Sequence, residues 1–240
     1  PGSPAYGRLL VGGGRGPRKP DEGRGLARPR QTVKDSGRKG RGQGRDSDMQ
    51  IRKARASDAA HLVRFINMAA DDLPLHFWRK TAGPEGDPWA LGAERAARAT
   101  GNFSYSNAWL AEVGGEAGAC LLGYAAEGAP GPIDPETPPI FVPLLELEAL
   151  APGSWYLNVL ATYDGFRGQG LGSALLAHAE TVAAEAGHDS ISLIAEDTHQ
   201  EALRLYTAKG YRQIARRSVV KGDWQVDARE WILFTKPIAA

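Results

Sequence analysis

A chain of 240 residues, 42% of them hydrophobic, is long enough to bury a sizeable core, and one or two domains are expected. Its single cysteine, Cys120, excludes an intrachain disulfide and points to a reducing, cytoplasmic setting; no apolar run approaches the roughly 18 residues of a membrane span, and the N-terminus lacks a signal-peptide core. The net charge of +1 hides a division: residues 1–48 hold 12 Lys+Arg against 5 Asp+Glu, a net of +7, and the remainder carries −6.

Residues 1–48 also hold 12 of the 30 glycines and show no hydrophobic periodicity, so they are read as a disordered basic tail. The chain begins with Pro and its first Met is Met49, which suggests a translated leader or a misassigned start. The alternative is a polyanion-binding arm; without aromatic interleaving beyond Tyr6, nucleic acid is not an expected partner. From Met49 the pattern changes. MQIRKAR (49–55) alternates as a strand, and a helix follows with Ser57 as N-cap and Leu62, Val63, Ile66 and Ala69/Ala70 as its apolar stripe. Residues 91–100 read as a helix, and 108–127 as a hairpin turning across Gly114–Gly118. Residues 128–153 are Pro-rich and read as a long insertion or loop. SWYLNVLAT (154–162) is a buried strand. A helix over 170–186 follows, ended by Gly187, with Leu171, Leu175, Val182 and Ala186 inward. A strand at 191–197, a helix at 199–209 closed by Gly210 and two final strands complete one α/β domain over 49–240 with a mixed sheet.

Between the buried strand and its helix lies YDGFRGQGLGSALLAHAE (163–180), with Gly168, Gly170 and Gly172 at every second position. A helix N-terminus binds anions, because its first amides have no intrahelical partner and its dipole favours negative charge. The P-loop pattern fails: Gly165 and Gly170 fit, but Leu171-Gly172 stands where Lys-Ser/Thr is needed. The dinucleotide fingerprint fails at Ser173. The pattern [QR]-x-x-G-x-[GA] fits, with Arg167, Gly170 and Gly172. A second motif, HQEALRLYTAKGY (199–211), is similar to N-x-x-A-x-x-L-Y-x-x-x-G-[FY], with Ala202, Leu205, Tyr206, Gly210 and Tyr211 matching.

On these two motifs, with the SDA helix start near residue 57, the chain resembles the GNAT superfamily of acetyl-CoA-dependent N-acetyltransferases from Met49 to about Lys236. The resemblance implies a single domain with a central, mostly antiparallel mixed β-sheet flanked by helices. It implies acetyl-CoA as acyl donor, attacked directly by a primary amine in a ternary complex. The turn Arg167, Gly168, Gln169, Gly170, Leu171, Gly172 and Ser173 would wrap the coenzyme pyrophosphate, with Arg167 pairing a phosphate. The preceding strand would splay from its neighbour, and amides near Leu160, Ala161 and Thr162 would hold the pantetheine and polarise the thioester carbonyl. Tyr206 is the implied general acid for the departing thiolate. His199 stands where the family usually has Asn contacting the coenzyme, a departure that puts this one contact in doubt.

Tyr156 and Asn158 alternate with Leu157 and Val159, which suggests a polar strand face lining the acceptor cleft. Phe77, Trp78, Trp89, Phe103, Tyr105 and Trp109 form an acceptor pocket or cap the core. Candidate bases are Glu112, Glu127, Glu146, Glu148, Asp71, Asp72, Glu196 and Asp197; a water relay would need none of them directly. Cys120, in an apolar strand, reads as core rather than nucleophile, and no metal is expected. The acceptor is a small-molecule or peptide amine, slightly favoured as a cation by the charge of −6. A homodimer is common in such families, though no interface stripe is identifiable. The competing reading from another class is a non-catalytic acyl-CoA-binding regulatory module of the same fold.

Overall fold

The computed structural model describes residues 49–126 and 131–238; the reading of residues 1–48, and Glu127 among the candidate bases, lie outside the described residues. Seven strands form one sheet: β1 (Met49–Lys53), β2 (Ala108–Val113), β3 (Glu116–Ala125), β4 (Trp155–Thr162), β5 (Ser190–Glu196), β6 (Arg212–Ser218) and β7 (Glu230–Pro237). Their spatial order is β1-β2-β3-β4-β5-β7-β6, and each pairing is antiparallel except β4 with β5. Among the described residues six α-helices flank it: α1 (Ala59–Met68), α2 (Leu73–Ala82), α3 (Pro88–Ala96), α4 (Val142–Glu148), α5 (Leu171–Glu185) and α6 (Gln200–Ala208). The expected mostly antiparallel mixed sheet is thus the one found.

Two buried clusters sit on opposite faces of this sheet. One joins α1, α2, α3 and α4 through Leu62, Phe65, Trp78 and Leu147 to Leu110, Cys120, Val159 and Leu233. The other joins α5 and α6 through Leu175, Leu176 and Tyr206 to Leu121, Leu157, Leu193 and Phe234. Each fully buried side chain of this size contributes about 1.5–3 kcal/mol through removal from water. The β1–β2 edge is tied to the start of α1 by Arg52, whose guanidinium reaches Asp58 at 2.8 and 3.0 Å and Glu112 at 2.8 Å.

Local details differ from the sequence reading, each for a physical reason. Ser57 lies in a 3-10 turn, Ala56–Asp58, and Asp58 takes the cap position of α1, its carboxylate drawn to Arg52 and to the Arg55 amide at 2.7 Å. The helix expected over 91–100 runs from Pro88 to Ala96, because Asp87 accepts from the Trp89 and Ala90 amides and starts it earlier. The β2–β3 turn is the two residues Gly114–Gly115, while Gly118 lies within β3. The segment 128–153 is not a plain loop: its apolar run Val142–Leu147 folds as α4 and buries Leu144, Leu145 and Leu147. The inward face of α5 is Leu171, Leu175, Leu176, Ala179 and Ala183; Ala186 is exposed just beyond the helix end.

The polar-face reading of β4 fails at one residue. Leu122 pairs with Val159 and Gly123 with Leu157, so Asn158 is an extra residue on β4, a β-bulge. The bulge breaks the two-residue alternation on which that reading rested. Beyond it, β4 leaves β5: the parallel pairing covers Trp155–Leu157 against Ile191–Leu193 and stops there.

Candidate active-site cleft

The end of the β4–β5 pairing opens a cleft between the two strands. Its walls are the free edge of β4, the glycine turn, the start of α6 and the end of α1. It is lined by Asn158, Leu160, Ala161 and Thr162 of β4, by Arg167, Gly168, Gly170, Leu171, Gly172 and Ser173, and by His199 and Tyr206. Twelve of the fourteen site positions singled out in the sequence therefore meet in one cavity. Tyr156 does not line it, and neither does Gln169, whose side-chain amide folds back to the Gly165 carbonyl at 3.3 Å.

The turn has the geometry of an anion cradle. Gly170, the N-cap of α5, has φ +83° and Gly168 has φ +73°, a left-handed conformation that any side chain strains to adopt. A Cβ at either position would meet no atom within 4 Å, so the space against the backbone is open. The first intrahelical bond of α5 runs from the Ala174 amide to the Gly170 carbonyl at 3.0 Å. The amides of Leu171, Gly172 and Ser173 precede it and have no helical acceptor. Arg167 is exposed at the rim, with an ion pair to Asp164 at 3.1 Å that is too solvated to hold it firmly. Backbone donors, open space and a cation fit a pyrophosphate.

Tyr206 lines the cleft with a ring packed 6.0 Å from both Tyr211 and Phe234. Burial pushes its hydroxyl up to about 12, so it is protonated at neutral pH. Cys120 is fully buried between strands, and burial pushes its thiol well above the usual range, as a core residue requires.

A second, more enclosed pocket lies on the helical side of the bulge. Leu73, Trp78, Phe103, Phe141, Tyr156 and Trp231 give it an apolar, aromatic wall, and Arg95 adds a half-buried cation. The two cavities share Ala69, Asn158 and Ile194, so the bulged residue stands at their junction. Tyr156 faces the second pocket and Asn158 both, which replaces the single polar face expected of them. Among the six aromatics singled out, Trp78 and Phe103 line this pocket. Phe77 and Trp89 support it from behind, 4.8 Å from Phe141 and 6.2 Å from Trp78. Trp109 is elsewhere, under Lys53 and 6.3 Å from Trp155. The contributions of Phe141 and Trp231 were not singled out in the sequence. Their only signal there is an apolar residue in a Pro-rich segment and in an ordinary strand.

Of the candidate bases, Asp71 lines the cleft, and Glu196 is buried beside His199, its Oε2 4.0 Å from His199 Nε2. Glu112 is held by Arg52, Glu146 by Arg217 at 2.5 Å, and Asp197 accepts from the Arg229 amide at 3.0 Å. The Asp72 carboxylate is bonded to Asn67. Asp71 Oδ1 accepts from His199 Nε2 at 3.1 Å, and this partner holds the Asp71 carboxyl below the usual range. Glu196, 1% exposed, is pushed up to about 9 by burial and by the neighbouring Asp71. Asp71 and Asp72 both have positive φ, +40° and +67°, and the Trp224 indole donates to the Asp71 carbonyl at 2.9 Å.

The comparisons with known proteins give the class of enzyme to which this fold belongs. The family described as "Acetyltransferase (GNAT) family" matches residues 71–211, more than half of the chain. The chain belongs to this family of acetyltransferases, whose members generally use acetyl-CoA. Among curated proteins no sequence matches it. Solved structures share the fold: an acetyltransferase at 22% identity and TM-score 0.56, covering 79% of this chain and 100% of that one. An N-acetyltransferase from Staphylococcus aureus Mu50 is similar at 17% identity and TM-score 0.55, covering 78% of this chain and 100% of its own. The polyamine N-acetyltransferase of Drosophila melanogaster, which catalyses the formation of N-acetylagmatine, matches at 17% identity and TM-score 0.53, covering 80% and 100%. Among the described residues no helix is long and apolar enough to cross a membrane.

Proposed function

We propose that the chain transfers an acetyl group from acetyl-CoA to a primary amine by direct attack in a ternary complex. The observation that carries this reading is the opening of β4 from β5 beyond Leu157, with the glycine turn at one end of the resulting cleft and the aromatic pocket at the other. In this reading Arg167 and the amides of residues 168–173 hold the pyrophosphate, and the β4 edge at Leu160, Ala161 and Thr162 bonds the pantetheine. The thioester carbonyl then lies near the bulge, where backbone donors polarise it. The amine enters from the aromatic pocket past Asn158, with its nitrogen neutral and its lone pair toward the carbonyl carbon. The N–C bond forms as the C–S bond breaks; Tyr206 gives its proton to the departing sulfur, and the surplus proton of the nitrogen returns through cleft water to the phenolate. Tyr206 is suited to this because burial keeps it neutral up to about pH 12.

The second pocket narrows the acceptor. Its wall of Leu73, Trp78, Phe103, Phe141 and Trp231 favours an amine carried on an aliphatic or aromatic body over a polyamine. A cytoplasmic setting goes with this reading, since acetyl-CoA and amine must meet there.

The experiment is a calorimetric titration of acetyl-CoA into the full chain, with desulfo-CoA and ATP beside it, followed by thiol release with a panel of amines. Saturable micromolar binding that prefers the coenzymes over ATP, and thiol release with an apolar amine, support the proposal. Binding without release with any amine would favour the regulatory module. No coenzyme binding by protein shown to be folded would remove both readings.

A further inference from the structure

At the start of α6, three side chains from two distant parts of the chain converge. Asp71 comes from the turn between α1 and α2, Glu196 is the last residue of β5, and His199 is the N-cap of α6. Asp71 Oδ1 lies 3.1 Å and Glu196 Oε2 4.0 Å from His199 Nε2, and one donor atom from each residue lies within 4.8 Å of the other two. Three donors around a tetrahedral cation with bonds of about 2.1 Å are separated by about 3.4 Å. The observed distances bracket that value, so rotamer shifts of about an ångström close the site.

Proximity of acids is common on protein surfaces and by itself means little. The decisive feature is Glu196: it is 1% exposed, and neither carboxylate oxygen has a hydrogen-bond partner in the protein. A buried carboxyl whose oxygens find no partner of good geometry is found where a cation or a catalytic task requires it, and near neutral pH a cation binding here would displace the carboxyl proton. Glu196 Oε2 faces His199 Nε2 at 4.0 Å. The backbone carrying Asp71 is fixed as a ligand-bearing turn must be, with left-handed φ at Asp71 and an indole bond from Trp224 to its carbonyl.

We propose that Asp71, Glu196 and His199 form a binding site for one divalent transition-metal ion of the Zn2+ class. One imidazole with two carboxylates suits Zn2+, Co2+ or Mn2+ better than Ca2+ or Mg2+, which prefer oxygen alone. Three protein ligands leave a coordination position open, and Asp71 and His199 line the cleft, so that position faces the cavity. The ion would tie the α1–α2 turn to β5 and α6, closing the wall opposite the glycine turn. The inference does not depend on the acetyl-transfer reading, because it is read without substrate.

The test titrates Zn2+ and Co2+ into the chelator-treated full chain, following heat, the visible absorption of bound Co2+ and thermal unfolding. The expected result is saturable one-to-one binding, Co2+ bands intense enough for four-coordination, and a melting temperature about 5–10 °C higher at a hundredfold excess over the dissociation constant. Asp71→Asn, Glu196→Gln and His199→Asn should each weaken binding at least tenfold, while Glu146→Gln and His76→Asn leave it unchanged. Asp71 is partly exposed, so its variant tests the site even if the change at buried Glu196 impairs folding. Absence of saturable binding, or affinity indifferent to the folded variants among these three, would overturn the proposal. In that case Glu196 holds a proton instead of a metal.

Discussion

Leu157 and Val159 stand two residues apart on the same strand and bury on opposite faces of the sheet: Leu157 packs in the α5–α6 cluster, Val159 in the α1–α4 cluster. In a regular strand two such residues share a face. The extra residue Asn158 separates them, and the same residue sits where the two cavities join. The core and the cleft thus have a common origin in one inserted residue. A measurable consequence is independence of the two side chains. Leu157→Ala should cost about 2–5 kcal/mol and Val159→Ala about 1–3 kcal/mol through lost burial and cavity formation. Because they share no packing cluster, the double variant should equal their sum within about 0.5 kcal/mol in urea unfolding. A coupling energy of 1 kcal/mol or more would mean that the two share a face after all.

Gly170 carries a prediction that separates binding from stability. Its φ of +83° makes Gly170→Ala strained by about 1–2 kcal/mol, lowering the melting temperature by about 2–8 °C. Gly187, at the other end of the same helix with φ +81°, should lose about as much when changed to Ala. Under the proposed reading only Gly170→Ala also weakens acetyl-CoA, by about tenfold, because its Cβ projects into the space open against the turn. Equal coenzyme affinities of the two variants in calorimetry would detach the turn from the coenzyme.

The Arg52–Asp58–Glu112 group should make the protein acid-sensitive. Arg52 holds the Asp58 carboxyl below the usual range, so this contribution is present above about pH 4 and is lost as pH falls through the lowered folded value. Arg52→Met should therefore destabilise by about 1 kcal/mol at pH 7 and by less at pH 2. Chemical unfolding at the two pH values reads the difference; an equal loss at both would mean that packing of the arginine stem, not its charge, supports this edge.

The framework of this fold was legible because it obeys simple periodicities. β4, α5, β5 and α6 appear in the sequence within a residue or so of their observed limits, and the helices are bounded by Gly170, Gly187 and Gly210 in left-handed conformation. The glycine turn and Tyr206 were legible because short motifs carry them. What stayed hidden depends on tertiary geometry. The bulge at Asn158 has no local signature, since Tyr-Leu-Asn-Val reads as plain alternation. α2 and α4 were missed because Pro74 and Pro143, which sit harmlessly in first turns, look like breakers in a one-dimensional reading. The partnership of Asp71 with His199 crosses 128 residues and needed the folded sheet to bring it together.

Tyr206→Phe tests the proposed acid directly. The ring keeps its packing against Tyr211 and Phe234, so the fold should persist. Loss of a general acid typically lowers turnover by about a hundredfold or more, and the acetyl-CoA dissociation constant should stay within about threefold of the parent. Turnover within a factor of about three of the parent would remove Tyr206 from the chemistry and leave it as core.

The same substitution should also change the response to alkali. The Tyr206 hydroxyl sits at about 12 in the fold against about 10 in an unfolded chain. Below pH 10 both states hold the proton and the contribution is complete; between 10 and 12 the unfolded state releases a proton that the folded state keeps. Stability attributable to this group is therefore lost as pH rises through the folded value, to a total of about 3 kcal/mol. Tyr211, also raised by burial, adds a slope of its own. In urea unfolding at pH 9, 10 and 11, Tyr206→Phe should accordingly lose stability less steeply than the parent, by up to about one proton in the pH dependence, without becoming flat. Parallel curves would show that the hydroxyl ionises as readily in the fold as outside it. An acid so exposed to solvent could no longer be the reserved proton donor of the cleft.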